Sequence, residues 1–272
     1  MSTQIYYFSG TGNSLRIARE LQKRLPSSVL VPIIASMKSD RISASAENVG
    51  IVLPIHGFSI PIVVEEFLKR LDLTSTTYLF AVTSRMARQR VFWKIDRITR
   101  KRGKTLDAGF GIQMPENYIS FFEAPLPDEI ARSEKEMLEK MDIIQTILIN
   151  RQKYCEPPMP LMARIITGIL FPIMIPILRA TRYMGLENKF YSDEKCTGCG
   201  VCENVCLSCK IRMTDGKPVW QKDRPCTFCF ACIHYCPAKA IQFKNKKTSS
   251  RGRYHHPDVR ANDIAAQKIE SR

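Results

Sequence analysis

Apolar and polar positions follow two rhythms along the first 150 residues. Short apolar runs occur at Gln4–Phe8, Val29–Ile34, Val49–Leu53, Tyr78–Val82 and Leu106–Met114. Their length and the turn residues around them predict five buried strands. Between the runs, apolar residues recur at three- and four-residue spacing. Leu15, Ala18, Leu21 and Leu25 form one such set, and Phe67, Leu68 and Leu71 another, behind Pro61. Ala87, Val91, Ile95 and Ile98 form a third, on an otherwise basic helix. Met137, Met141, Ile144 and Leu148 form the last, on a long helix over about 128–150. Each set marks the inward stripe of a helix, and Pro61 suits a first helical turn. The methionines of the last stripe are read as core against the sheet. Strands alternating with helices predict an α/β fold with a doubly wound, parallel, five-stranded sheet.

Beyond residue 150 the rhythm breaks. Leu161–Leu178 is apolar but interrupted by Arg164, Gly168, Pro172 and Pro176, and its uncharged stretch Ile165–Leu178 is 14 residues long. A membrane span needs about 20, so a spanning helix is rejected. A buried connector, an oligomer surface, and a membrane-surface helix flanked by Arg164, Arg179 and Arg182 remain open. Further on, Ile211–Met213 and Pro218–Trp220 flank Thr214-Asp-Gly-Lys217, the chemistry of a hairpin, and Ile241–Phe243 reads as a matching strand. From Lys244 the chain turns polar and basic and reads as a mobile or loosely docked tail. The expected division is therefore 1–150, a connector 151–188, a small α+β domain 189–245 and a tail 246–272.

The formal net charge of +15 over 272 residues points to acidic partners or anionic surfaces. Nucleic acid is not expected, because the basic residues are scattered and carry no recognition motif. Met1-Ser-Thr-Gln4 runs straight into an apolar strand without a signal peptide, which places the expected location in the cytoplasm.

Eight of the ten cysteines form two runs, Cys196-x-x-Cys199-x-x-Cys202-x-x-x-Cys206 and Cys226-x-x-Cys229-x-x-Cys232-x-x-x-Cys236-Pro237. A zinc site would use two C-x2-C pairs and leave the third and fourth cysteine of each run unexplained. Disulfides would need an oxidising compartment. The tandem C-x2-C-x2-C-x3-C spacing resembles that of bacterial ferredoxins with two cubane clusters. The resemblance implies two [4Fe–4S] clusters, with the last cysteine of each run crossing over to the other. One cluster would take Cys196, Cys199, Cys202 and Cys236, and the other Cys226, Cys229, Cys232 and Cys206. Leu207 stands where such proteins usually place proline. Cys209 is an additional thiol, read as a spare residue rather than a ligand, and Cys155 is read as incidental. His234, inside the second run, is weighed as a donor to a cluster sulfur against an ordinary surface histidine.

The turn after the first strand is Ser9-Gly10-Thr11-Gly12-Asn13-Ser14, and a helix follows at once. Free N–H groups at a helix start attract a phosphate. A dinucleotide fingerprint would need a third glycine where Leu15 stands, and no Walker lysine follows the loop. Ser9, Thr11, Asn13 and Ser14 are neutral donors that suit a terminal monophosphate. The turn resembles the phosphate loop of flavodoxins. That resemblance implies FMN, held by residues 9–14 and flanked by the loops carrying Pro54, His56 and Gly57, and Thr83 and Ser84. As a whole the chain resembles the flavodoxin–ferredoxin fusion proteins known as iron–sulfur flavoproteins. The implied function is electron transfer between two clusters and FMN and on to an acidic redox protein, as donor or acceptor. The alternatives are a flavin-dependent reductase of a small molecule or quinone, and a redox sensor or nucleic-acid-binding protein that uses its clusters structurally.

Overall fold

The computed structural model describes residues 2–56, 59–85, 91–156, 186–244 and 247–269. Gly57 and nearly all of the apolar segment 157–189 lie outside them, as do residues 86–90. Among the described residues no helix is long and apolar enough to cross a membrane.

A six-stranded parallel sheet dominates the N-terminal part, in the order β2 (Ser28–Pro32), β1 (Thr3–Tyr7), β4 (Asn48–Pro54), β6 (Tyr78–Arg85), β7 (Ala108–Gln113) and β8 (Tyr154–Cys155). Two short strands, β3 (Ile42–Ser43) and β5 (Leu71–Asp72), pair with each other outside it. Setting these aside, the first five sheet strands run 2-1-3-4-5, the order of a flavodoxin-like fold. Strands β1, β4 and β6 are buried on both faces, which explains their continuous apolar runs. The expected sheet had five strands; β8 adds a sixth with only two residues, too few to leave a periodic signal. Helices α1 (Asn13–Arg24), α3 (Ile62–Arg70), α4 (Val91–Arg100) and α5 (Pro127–Ile149) cover the sheet, with a single turn α2 (Ile33–Ser36) after β2. Met137, Met141, Ile144 and Leu148 are buried on α5.

The cysteine-rich part repeats itself. Cys196 recurs as Cys226 and Cys206 as Cys236, each thirty residues on. The short helices Val201–Asn204 and Ala231–His234 occupy matching places. Strand β9 (Phe190–Ser192) pairs antiparallel with β12 (Ile241–Phe243), while β10 (Ile211–Thr214) and β11 (Lys217–Trp220) form the hairpin. Left-handed backbone also repeats: Gly198 and Gly200 (φ 72° and 74°) correspond to Phe228 and Phe230 (φ 51° and 56°). A left-handed non-glycine costs about 1–2 kcal/mol. Phe230 bears it because its ring is buried against Tyr118, Phe190 and Phe243.

The two parts share a core cluster, and the cysteine-rich part keeps a second one around Phe190, Phe230 and Phe243. Val205, Leu207, Ala231 and Tyr235 from the cysteine-rich part, and Val259 and Ile264 beyond it, join the cluster built on the large sheet. Leu207, the departure from the ferredoxin pattern, is buried there. The tail is the main correction to the sequence reading. Residues 247–269 are not loosely docked: Tyr254, His256, Val259, Ile264 and Gln267 are all buried. Their few apolar residues have no regular spacing, and much of the docking is by side-chain-to-backbone hydrogen bonds, which leave no hydrophobic period to read.

Candidate functional site

Strand β1 ends at the switch point of the sheet, where the chain order reverses and α/β proteins bind ligands. The loop 9–14 lies there, between β1 and α1. Its side chains are engaged by the protein. The Ser9 hydroxyl accepts from the Gly12 N–H (3.2 Å), and Thr11 Oγ1 accepts from the Asn117 amide. Ser14 and Ser84 share a hydroxyl–hydroxyl bond of 2.7 Å. Asn13 donates to the Pro115 carbonyl (3.0 Å) and accepts from the Tyr254 hydroxyl (2.8 Å). Asn13 is thus a brace of the loop rather than a free donor. Ser9 and Thr11 accept in these bonds, so each still has its own proton to give. The loop is also buried, and the N–H groups of Asn13 and Ser14 open a helix and have no intrahelical acceptor. Buried donors at a helix start fit a phosphate.

Pro54 ends β4, and Thr83 and Ser84 lie near the end of β6, so these residues and His56 share the carboxyl edge of the sheet with loop 9–14. His56 Nδ1 and Thr83 Oγ1 are buried and without a hydrogen-bond partner. Two orphaned polar atoms beside the phosphate-type loop fit a polar ring system such as a flavin. Burial pulls the His56 imidazole down to about 4, the Thr227 backbone opposing the shift in part. A depressed histidine remains neutral in the folded chain while the unfolded chain takes up a proton. Its contribution to stability is therefore intact above about pH 6.5 and is lost as pH falls toward 4, by roughly 3 kcal/mol. Denaturant unfolding between pH 7 and 4.5 is expected to show a shallower acid loss in His56→Phe than in the wild type.

The cysteine runs lie against this edge. Cys196, Cys199, Cys202 and Cys236 line one cavity, together with Met213 and Ile241. Cys206 lies within electrostatic reach of Cys226, Cys229 and Cys232. The structure thus brings the last cysteine of each run to the first three of the other. Among the described residues no three ligand-type side chains are arranged to hold a single ion; Cys196, Cys199, Cys202 and Cys236 surround a space instead. Burial pushes Cys202 up to about 11 and raises Cys226, Cys229 and Cys232 as well. Such thiols become thiolates when a metal centre supplies the counter-charge. Backbone N–H groups already point at sulfur in matching places, Lys210 to Cys206 and Ala240 to Cys236, both at 3.2 Å. These features fit iron–sulfur clusters. Cys209 occupies the left-handed position that Lys239 fills in the second half (φ 53° and 51°) and does not line the Cys196 cavity.

His234 is neither a surface residue nor a donor to sulfur. Its ring is buried, Nε2–H donates to the Asn117 carbonyl (2.8 Å), and Nδ1 accepts from the Tyr254 N–H (3.1 Å). It ties the loop after β7 to the C-terminal segment. That segment was missed by sequence reasoning and carries much of the loop's support. Gln267 Oε1 accepts from the Ser9 N–H (2.9 Å) and its amide donates to the Ser9 carbonyl (2.8 Å). The His256 N–H donates to the Thr11 carbonyl (2.8 Å). Nothing local in the sequence marks Gln267.

Loop and cysteines approach closely at Gly10. A Cβ there would lie 2.5 Å from the Cys229 carbonyl oxygen and 2.7 Å from its Cβ. Gly12, at φ 103°, is covered by His256 and Val259 in the same way. Gly10→Ala is expected to lower stability by about 1–3 kcal/mol, the cost of overpacking against backbone, read as a drop in Tm.

A flavodoxin-like α/β fold is here followed in one chain by a ferredoxin-type segment. A ferredoxin of Methanothermococcus thermolithotrophicus is 38% identical over 53 residues, which is 19% of this chain and 88% of that relative. Over its C-terminal part the chain belongs to the ferredoxin family. No protein-family model matches the chain. Similar solved structures include an azoreductase from Bacillus anthracis str. Sterne, 10% identical over 53% of this chain and 99% of its own, with a TM-score of 0.37. A flavodoxin from the domain Archaea is 11% identical over 53% of this chain and 99% of its own, with a TM-score of 0.33. The fold assignment rests on the strand order.

Proposed function

We propose that this protein is an iron–sulfur flavoprotein that passes electrons between two [4Fe–4S] clusters and FMN, and on to a redox partner. The observation that carries the reading is the contact of Gly10 with Cys229, which sets a cluster-type loop directly on the phosphate-type loop. Clusters exchange single electrons and FMN one or two, and the protein tunes both through hydrogen bonds, burial and charge. Cys196, Cys199, Cys202 and Cys236 would hold one cluster, and Cys206, Cys226, Cys229 and Cys232 the other. The N–H groups of Asn13 and Ser14 and the hydroxyls of Ser9 and Thr11 would hold the phosphate. His56 and Thr83 would face the ring.

The shared core fixes the two parts against each other, so transfer between them needs no diffusional encounter. Cys229 is packed against the α/β domain at Gly10, whereas Thr197 and Cys199 are exposed. A partner would therefore dock at the Cys199 edge, and the net positive charge favours an acidic one. The reductase reading keeps one observation in its favour, an open groove lined by Met114, Pro115, Phe122 and Leu126 beside the loop that braces Asn13.

Anaerobic purification with iron, sulfide and flavin assays tests the proposal. About eight iron and eight sulfide per chain are expected from two cubanes, with one FMN. Colourless or zinc-loaded protein overturns it. Reoxidation of the reduced flavin by a small-molecule acceptor with turnover, and by no protein partner, would favour the reductase.

A further inference from the structure

The imidazole of His56 bridges the two parts of the molecule at the carboxyl edge of the sheet. Its backbone is held from both sides. Ile55 N–H donates to the Ser84 carbonyl (3.2 Å), and His56 and Ser59 exchange backbone hydrogen bonds of 2.9 and 3.0 Å. The ring stands edge-on to Phe8, centroids 5.9 Å apart, and Phe8 is the residue before loop 9–14. A hydrogen bond to the Thr227 backbone ties the same ring to the cysteine-rich part, between Cys226 and Cys229. That bond favours the protonated ring, so the imidazole N–H donates and the Thr227 carbonyl accepts. Nδ1 is buried and has no partner among the described residues, which puts the donated N–H at Nε2. Burial keeps the ring neutral, and a neutral imidazole protonated at Nε2 has a bare lone pair at Nδ1. Leaving a buried acceptor unpaired is costly, and no described residue supplies a donor for it.

We infer that His56 Nδ1 is a positioning acceptor for an N–H or O–H of bound FMN, in a tautomer that the cysteine loop fixes through Thr227. This rests on the flavin reading above. FMN carries such donors at its ring N–H and its ribityl hydroxyls. Its phosphate, with a second pKa of about 6, offers none at pH 8. The other polar atoms of the oxidised ring are acceptors, which a bare nitrogen repels, so the contact selects the part of the cofactor that meets His56. The loop carrying Cys226 and Cys229 thereby sets the proton position that the flavin meets. The two cofactor sites are linked through one imidazole, with no movement of the chain required.

The test is equilibrium dialysis at pH 8 of iron-replete, flavin-free protein against FMN and two analogues. One is 3-methyl-FMN, which lacks the ring N–H, and the other has a plain phosphoalkyl chain without ribityl hydroxyls. His56→Gln keeps a donor for Thr227 but has no acceptor in the Nδ1 place, and should bind FMN about tenfold more weakly, the worth of one hydrogen bond. It should also lose the wild type's discrimination against one of the analogues, and which one identifies the donor. His56→Asn has an oxygen in the Nδ1 place but gives up the tie to Thr227, and should stay close to the wild type. A purely structural role would order the two variants the other way. His56→Gln binding FMN as the wild type does, or better than His56→Asn, overturns the inference. So does equal discrimination by wild type and His56→Gln against both analogues. Failure of the iron-replete wild type to bind FMN refutes the flavin reading itself and is seen before any variant is compared. Should His56→Gln not fold, His56→Leu, which lacks both nitrogens, takes its place in the analogue comparison, and unchanged discrimination there overturns the inference.

Discussion

Cys236→Ser is expected to remove the cluster built on the first cysteine run, although Cys236 belongs to the second. Iron should fall from about eight to about four per chain, one cubane's worth. The reason is geometric: Cys236 lines the cavity of Cys196, Cys199 and Cys202, and the Ala240 N–H is aimed at its sulfur. The remaining cluster should give the same EPR spectrum as that of Cys199→Ser and a different one from that of Cys226→Ser. Cys209→Ser should keep all its iron. If Cys236→Ser instead matched Cys226→Ser, the crossover arrangement would be wrong.

Truncation before Tyr254 should be nearly as damaging, even though every cluster cysteine remains. Tyr254, Val259 and Ile264 are buried, and losing three such side chains forfeits on the order of 5 kcal/mol. That is comparable with the whole stability of many domains, about 5–15 kcal/mol. Ser9 would lose both of its bonds to Gln267, Thr11 its bond to His256, and Asn13 its bond to Tyr254. The truncated protein should melt at a lower temperature and release FMN on gel filtration. Gln267→Ala is the milder form, leaving the Ser9 N–H and carbonyl buried and unpaired at about 1–3 kcal/mol each. A truncated chain with unchanged Tm and bound flavin would show that the segment is dispensable.

The sequence by itself determined the elements and the chemistry they offer. Strand and helix periods are local, so β1, β4, β6, β7 and the stripe of α5 could be read from residues a few positions apart. Cysteine spacing is local too, because one short loop must reach several irons. The turn Ser9–Ser14 was legible for the same reason, since a helix start is defined by its own neighbours.

Tertiary structure decided what those pieces face. The bonds between Ser9 and Gln267 join positions 258 apart, and no window along the chain contains both. His234 was open between surface and sulfur until the fold placed it between Asn117 and Tyr254. Leu207 and Cys209 looked like similar irregularities, yet one fills the shared core and the other occupies a left-handed turn. The polar tail had too few apolar residues to predict burial, because its docking relies heavily on paired hydrogen bonds. Such bonds hold a segment only where a partner backbone already waits, and that backbone is set by the fold as a whole.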